Sequence, residues 1–368
     1  MGDIREFSVD IPQSALDDVA DRLRNTRWMK DVVRGDPRYG ASVPFVKSLC
    51  DHWLSSFNWR TLEAQINKHP NILVDVDDLH IHAIHQTSSR TDAIPLILLH
   101  GWPSSILEFL DIIPALAEPP AGEPAFHVVV ASLPGNSWST TRPDVTVPGT
   151  ARIMAGLMEK LGYERFMIQG GNWGSPIGTE IARQFPDRVI GLHVNSINGS
   201  PPPPGEKRAL TDEEAAWITR PSARAVPHFT VLSQQPFTVS HAFNDSPAGL
   251  AGWLGEKLRD WADNRHGPGV SLDWIVGTIA LFWFTGSIGS SSLLYYELVH
   301  QGWPESYVKA PTAMVVFSEE FVRIPQSWAA RHYNIVRWTL VDRGGHFPAT
   351  EVPDLFAADL RAFASSLT

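Results

Sequence analysis

The feature that most constrains this fold is a set of short apolar segments, several of which alternate with helical segments. They occupy residues 94–99, 126–133, 166–169, 189–194, 311–317 and 336–341. The first three end in turns that contain glycine, and a helical segment at 177–185 separates the third from the fourth. Short buried strands in alternation with helices are typical of a parallel sheet that is covered by helices on both faces. We therefore predict an α/β fold built on a mostly parallel sheet.

The residues before this pattern form an N-terminal extension. Residues 1–70 have a mostly helical pattern, and a stripe near helical spacing consists of Ala15, Val19, Leu23 and Trp28. Residues 72–76 and 79–85 then predict a β-hairpin, because two alternating segments flank an Asp-rich turn.

A second helical region interrupts the strand pattern. It begins at Pro201–Pro204, and within it Ser246 as N-cap and Pro247 at the first position predict a clear helix start. A closing helix is predicted at 352–363. A helical insertion after a strand, over the carboxyl edge of a sheet, is typical of a lid. We predict an extension at 1–88, a core at 89–200 and 309–368, and a helical lid at 201–308.

Composition narrows the class of protein. The formal net charge is −10, which argues against a nucleic acid or an anionic membrane surface as partner. We find no window near the ~18 uninterrupted apolar residues of a membrane span, and no signal-peptide pattern in the first residues. Cys50 is the only cysteine, which excludes an internal disulfide. We expect a soluble, cytoplasmic protein.

Residues 170–174 carry the strongest chemical signal. The sequence Gly-Gly-Asn-Trp-Gly joins a strand to a helix and has the Gly-x-nucleophile-x-Gly pattern of a nucleophile elbow, with Asn172 at the nucleophile position. His346 follows the last predicted strand, and Glu320 follows the strand before it, with Glu319 as a competitor for the acid. Nucleophile, acid and histidine in this chain order predict the α/β-hydrolase fold.

Two backbone N–H groups are predicted to form an oxyanion hole. Trp173 follows the nucleophile position, and Trp102 follows the first inner strand, where this fold supplies its other donor. We interpret the tight turn at Pro103 as a cis peptide bond. His80 and His82 share one face of a strand, but no third ligand is spaced nearby, so we favour a solvated face over a metal site.

Five segments together resemble the microsomal-type epoxide hydrolase family. They are HGWPSSILEF, LGYERFMIQGGNWGS, NDSPAGLAGWLGEKL, GSSSLLYYE and DRGGHF. The resemblance covers essentially the entire chain, including the N-terminal extension. It implies a mechanism without metal or cofactor, in which an aspartate opens a small-molecule epoxide to give an ester. A histidine–carboxylate pair then activates water to release a diol, and two lid tyrosines donate hydrogen bonds to the epoxide oxygen.

The family pattern maps onto this chain residue by residue. The resemblance implies that Glu320 and His346 are the acid and the base. Tyr296 fits the second lid tyrosine, and its neighbour Tyr295 is then expected to point elsewhere, since adjacent helical residues lie about 100° apart. The first lid tyrosine falls on His228, for which a ring N–H donor and a packing histidine are both open interpretations. A homodimer is one assembly that we consider.

Asn172 is the largest departure, because the family motif has aspartate at this position. The amide oxygen is a much weaker nucleophile than a carboxylate, so alkylation should be severely impaired. Either an introduced Asp→Asn change traps substrate, or this is a natural member that no longer forms the ester. The leading hypothesis is an epoxide hydrolase disabled at its nucleophile. The alternatives are a non-covalent epoxide-opening cyclase or ligand-binding protein, and a haloalkane dehalogenase.

Overall fold

The computed structural model describes residues 4–143, 145–196, 210–219, 226–301 and 306–367. The strands are β1 (Ile4–Phe7), β2 (Asn71–Val76), β3 (Leu79–Gln86), β4 (Ile94–Leu99), β5 (Phe126–Ala131), β6 (Phe166–Gly170), β7 (Val189–Val194), β8 (Val308–Phe317) and β9 (Tyr333–Val341). These nine strands form one sheet, in the order β1-β2-β3-β5-β4-β6-β7-β8-β9. The first four in this order pair antiparallel, and the pairs from β5 to β9 are parallel. The predicted mostly parallel sheet is confirmed.

The helices lie in four groups along the chain. Those before the parallel strands are α1 (Gln13–Arg24), α2 (Val43–Ser55) and α3 (Trp59–Asn67). Those between core strands β4 and β7 are α4 (Ile113–Ala117), α5 (Val147–Lys160) and α6 (Gly174–Gln184). Those between β7 and β8 are α7 (Asp212–Thr219), α8 (Val226–Gln234), α9 (Pro236–Asp245), α10 (Pro247–Asp260), α11 (Leu272–Thr285) and α12 (Leu293–Gln301). The last are α13 (Gln326–Ala329), α14 (Pro348–Glu351) and α15 (Pro353–Ser365).

The parallel strands form because their residues are apolar without interruption. Leu96, Ile97, Leu98 and Leu99 of β4 are all 0% exposed, as expected for a strand that is covered on both faces. All six predicted core strands are present. Both β8 and β9 begin three residues before their predicted starts, at Val308 and Tyr333.

Two expectations for the N-terminal extension are wrong, and its mostly helical pattern also contains one strand. Residues 4–7 form an edge strand paired with β2. Trp28 does not continue the apolar stripe, because α1 ends at Arg24 and Trp28 is exposed. His82 does not lie on a solvated face: it is buried, with its ring nitrogens hydrogen-bonded to Ser132 and Asn71.

The helices between β7 and β8 make up the described part of the predicted lid; residues 201–209, 220–225 and 302–305 of that region lie outside the described residues. The predicted cap of α10 is confirmed, since the Ser246 hydroxyl accepts a hydrogen bond of 3.0 Å from the backbone N–H of Gly249. Helix α2 of the extension packs against α10 and α11. Among the described residues, no single helix is long and apolar enough to span a membrane. One bent pair of helices, Leu272–Thr285 and Ser290–His300, meets these two criteria only when both helices are counted together.

Candidate active site

Asn172 lies in the sharp turn between β6 and α6. Its φ angle is +49°, a region that costs most residues about 1–2 kcal/mol but that asparagine tolerates comparatively well. Glycines are required on both sides: a Cβ at Gly170 would overlap the backbone of Gly174, and one at Gly174 would overlap the carbonyl of Leu99. The turn therefore holds the Asn172 side chain at the carboxyl end of β6, at the edge of the sheet where ligands bind in this class of fold.

Both predicted oxyanion donors converge on a single atom. The backbone N–H of Trp102 donates to Oδ1 of Asn172 over 3.0 Å, and that of Trp173 donates to the same oxygen over 2.7 Å. The peptide bond between Trp102 and Pro103 is cis, as predicted. Because two N–H donors face this atom, it is the amide oxygen, and the amide nitrogen must occupy the other position.

The Asn172 nitrogen faces the predicted base. Nδ2 of Asn172 lies 2.9 Å from Nε2 of His346, and Nδ1 of His346 lies 2.8 Å from Oε2 of Glu320. Since the amide nitrogen can only donate, Nε2 accepts and the ring proton is on Nδ1, where it is donated to Glu320. Of the two competing acids, Glu320 makes this contact, whereas Glu319 pairs with Arg265.

Burial and charge act in opposite directions on His346. The ring is almost completely buried, which disfavours the imidazolium form. The charge and hydrogen bond of Glu320, together with the charges of Glu108 and Glu351, outweigh burial and raise the pKa of His346. Two aromatic rings enclose it: Phe321 stacks on its face with centroids 4.4 Å apart, and Trp261 meets it edge to face at 5.2 Å. The geometry is that of a base with a fixed tautomer in an apolar enclosure.

Of the two lid tyrosines, Tyr295 and not Tyr296 lies over this site. Tyr295 is 3% exposed, and its ring packs edge to face on Trp173 and Trp102 with centroids 4.9 and 5.7 Å away. Tyr296 is 38% exposed and stacks on His300 at the surface. The expectation that Tyr295 points elsewhere is wrong, and Tyr296 is not brought to the site.

Helical periodicity contained a signal for this correction. On α12 the buried apolar side chains are Leu294, Tyr295 and Leu298, spaced by one, three and four residues. Val299, three residues after Tyr296, is apolar but exposed, so hydrophobicity alone does not mark the buried face.

His228 does lie at the site, on the far side of Trp102. Its ring stacks on the Trp102 indole with centroids 5.2 Å apart, and its Nε2 lies 3.2 Å from the Tyr295 hydroxyl. Burial, assisted by the positive charges of Lys257 and His346, lowers the pKa of His228 to about 3. His228 is therefore neutral at physiological pH, with one N–H to donate and one ring nitrogen to accept.

Comparisons with known proteins show which family this chain belongs to. The family model described as epoxide hydrolase N terminus matches residues 4–109, and that of the alpha/beta hydrolase fold matches residues 94–269. A putative epoxide hydrolase of Stigmatella aurantiaca is 36% identical over 97% of this chain and 84% of its own length. The chain belongs to the epoxide hydrolase family.

Other members of the epoxide hydrolase family are similar over nearly the whole chain. Epoxide hydrolase 1 of Sus scrofa is 31% identical over 99% of this chain and 89% of its own length. The structure of the Aspergillus niger epoxide hydrolase has a TM-score of 0.90 at 31% identity, covering 100% of this chain and 97% of that chain. The juvenile hormone epoxide hydrolase of Bombyx mori has a TM-score of 0.88 at 25% identity, covering 100% and 95%. The predicted α/β-hydrolase fold is confirmed.

Proposed function

We propose that this protein binds a small-molecule epoxide in the manner of an epoxide hydrolase and that Asn172 blocks its covalent step. The observation that carries the proposal is the position of one side chain: Asn172 is held by both oxyanion donors and by the base, His346. Such an arrangement serves to hydrolyse an acyl group at position 172. An acyl group arises there when a carboxylate at 172 has opened an epoxide.

The reaction with a carboxylate at 172 follows from these positions. One carboxylate oxygen attacks an epoxide carbon, the strained C–O bond breaks, and the leaving oxygen takes a proton from the lid. His346 then removes a proton from water, which adds to the ester carbonyl while Trp102 and Trp173 stabilise the oxyanion. Collapse expels the alkoxide, which takes the proton held by His346 and completes the vicinal diol. The second proton of the water returns to the lid acid, which restores the carboxylate at 172 and the resting site.

Asn172 cannot carry out the first of these steps. Its oxygen is neutral and already accepts two hydrogen bonds, and its nitrogen is an amide that donates to His346. Neither atom has the electron density of a carboxylate oxygen, so the epoxide carbon is not attacked. Asparagine and aspartate have nearly the same shape, so epoxide binding should be retained.

We assign the proton donor of the lid to Tyr295. Burial raises the pKa of its hydroxyl, partly opposed by a hydrogen bond from the Trp173 side chain. If Nε2–H of neutral His228 donates to the Tyr295 oxygen, the phenolic proton is free to point at the epoxide oxygen. His228 then supports the donor and does not replace it.

The test is the Asn172→Asp variant, with product analysis on styrene oxide, trans-stilbene oxide and cyclohexene oxide. Diol formation should rise by orders of magnitude over the protein with Asn172, the scale of effect that loss of a catalytic nucleophile produces. An Asn172→Asp, His346→Gln double variant serves as control, and it should form the ester but release little diol. If Asn172→Asp converts none of a broad epoxide panel, the hydrolase proposal fails.

A second candidate is a cyclase that opens an epoxide with a hydroxyl of the same substrate. The observation in its favour is that Nε2 of His346 is unprotonated and Tyr295 is a buried acid, so a base and an acid are present without a nucleophile. Conversion of a hydroxy-epoxide to a cyclic ether by the protein with Asn172 would support it. The buried Tyr295 argues against a haloalkane dehalogenase, since a halide leaves without a proton.

A further inference from the structure

The loop that carries His346 is bound to the segment that follows helix α10. We call residues 344–347 the base loop and residues 261–263 the lid strap. The backbone N–H of His346 donates to the carbonyl of Trp261 over 3.0 Å, and that of Gly344 donates to Oδ2 of Asp263 over 3.0 Å. The base is thus fixed from its backbone side by a segment of the predicted lid.

One carboxylate joins the strap to the loop. Oε2 of Glu351 accepts the backbone N–H of Asp263 at 2.6 Å and that of Gly345 at 2.9 Å, and Oε1 accepts that of Phe347 at 2.8 Å. Two of these donors, Gly345 and Phe347, are the residues directly before and after His346, so Glu351 holds the backbone on both sides of the histidine. Burial raises the pKa of Glu351 to about 7, against the effect of these three N–H groups.

The strap and the base loop approach so closely that a side chain is excluded between them. A Cβ at Gly345 would lie 2.7 Å from the carbonyl oxygen of Trp261 and 2.8 Å from the nitrogen of Asp263. Both neighbours are backbone atoms, which cannot move aside as a flexible side chain would. Residue 345 must therefore be glycine for the contact to form.

The strap also reaches the loop that carries the acid. Arg265, two residues beyond the strap, pairs with Asp263 at 2.8 Å and donates to the Ser318 hydroxyl at 2.6 Å. It donates as well to the carbonyl of Asp342, two residues before the base loop. The two loops that supply Glu320 and His346 are thus tied to the same few residues.

We infer that Glu351 is a positioning residue that sets the place of His346 by holding the base loop to the lid strap. Only a carboxylate can do this, because both oxygens accept; an amide would turn an NH2 group toward one of the three N–H donors. The consequence for ester hydrolysis rests on the function proposed above. Alkylation needs the residue at 172 and the lid acid, whereas ester hydrolysis needs His346, so a displaced His346 should impair only the second half-reaction.

The first test needs no substrate. In protein labelled with 15N-histidine, the Nδ1–H proton of His346, hydrogen-bonded to Glu320, is followed by NMR in the chain with Asn172. Glu351→Gln should shift this signal and speed its exchange with water. The matched control is Glu63→Gln, which also removes a buried carboxylate that accepts a backbone N–H (Ile11, 2.8 Å) and an indole N–H (Trp59, 3.0 Å), but lies in the extension. An unchanged His346 signal in Glu351→Gln, or an equal change in Glu63→Gln, overturns the inference.

The second test uses the Asn172→Asp background and styrene oxide. Glu351→Gln should slow ester hydrolysis by about 100-fold, the cost of a displacement near 1 Å in a catalytic group, while single-turnover alkylation is unchanged. The ester should then accumulate as a mass increase on the intact protein. A purely structural role would slow both half-reactions together and would overturn the inference.

A second variant is used if Glu351→Gln does not fold. Asp263→Asn weakens the contact to Gly344, and it should also slow ester hydrolysis more than alkylation, by a smaller factor. If Asn172→Asp alone forms neither ester nor diol, the proposed function has failed, and the NMR test still decides the role of Glu351.

Discussion

The hydrogen bond between Asn172 and His346 runs from the amide nitrogen to Nε2, over 2.9 Å. An aspartate at the same place could only accept, so the bond would require a proton on Nε2 and its direction would be reversed. Asparagine therefore stabilises the neutral imidazole, and aspartate would stabilise the imidazolium. One amide group changes both the nucleophile and the protonation state of the base.

Replacing Asn172 by aspartate should raise the pKa of His346. A buried negative charge within hydrogen-bonding distance favours the imidazolium form. NMR titration of the His346 ring nitrogens in the two proteins measures the difference. His82 is buried in the sheet, where burial lowers its pKa to about 3, and it provides an internal control that should stay neutral in both proteins. A His346 titration that is the same in both proteins would contradict the direction of the hydrogen bond described here.

The amide of Asn172 should be slowly hydrolysed by the site itself. Its oxygen accepts both N–H groups of the proposed oxyanion hole and its nitrogen faces His346, so water that adds to the amide carbon can expel ammonia and leave aspartate. Intact-mass measurements during storage should show the small increase of an amide-to-acid change, and peptide mapping should place it at residue 172. Epoxide conversion should rise in parallel. The His346→Gln protein serves as control, and a mass increase at residue 172 there at the same rate would rule out self-catalysis.

Tyr295→Phe should abolish most turnover in the Asn172→Asp background, and Tyr296→Phe should not. The first change removes a buried hydroxyl over Trp102 and Trp173, and the second removes an exposed one. Loss of a general acid typically costs about 10²- to 10⁴-fold in rate. Steady-state diol formation compares the two variants, and circular dichroism checks that both are folded. Equal activities would remove Tyr295 from the mechanism.

The stability of the protein should depend on pH through Glu108. Burial raises the pKa of Glu108 from 4.5 to about 7, partly opposed by a hydrogen bond to Ser104 and by the charge of His346. The folded state then holds this proton more tightly than the unfolded chain, so the free energy of unfolding falls as pH rises from about 4.5 to about 7. Glu108→Gln should flatten that decline by up to about 1.4 kcal/mol per pH unit. The raised pKa values of Glu351 and His346 also lower the free energy of unfolding as pH rises. The contribution of Glu108 is therefore isolated by comparing the variant with the parent protein in urea unfolding at several pH values. The same slope of unfolding free energy against pH in both proteins would contradict the prediction.

Local sequence motifs indicate those parts of the site whose position is determined by a sharp turn or by the end of a strand. The elbow at Asn172 needs its glycines for steric reasons within a few residues, and His346 and Glu320 follow apolar strands whose ends must meet at one edge of the sheet. These relationships depend on chain order and strand direction. They could therefore be inferred before any contact was known.

The features that sequence reasoning missed depend on which side of an element meets the rest of the protein. Tyr295 and Tyr296 are neighbours of the same type on a nine-residue helix, and which of them is buried depends on how α12 packs against α8 and against Trp102 and Trp173. The edge strand β1 is short and mostly exposed, and it exists because β2 offers it a partner. Glu351 carried no chemical signal of its own, since all three of its described partners are backbone N–H groups.

The packing of α2 against α10 and α11 has a consequence for the order in which the protein can form during synthesis. Apolar side chains of the extension, such as Leu49 and Trp53, leave the ribosome long before their partners on α10 and α11 have been translated. The sheet edge at β1 is likewise available early, but the lid helices emerge about two hundred residues later. Contacts of such large sequence separation form slowly and leave apolar surface open to aggregation in the meantime. The growing chain should therefore depend on holding chaperones until α11 has emerged.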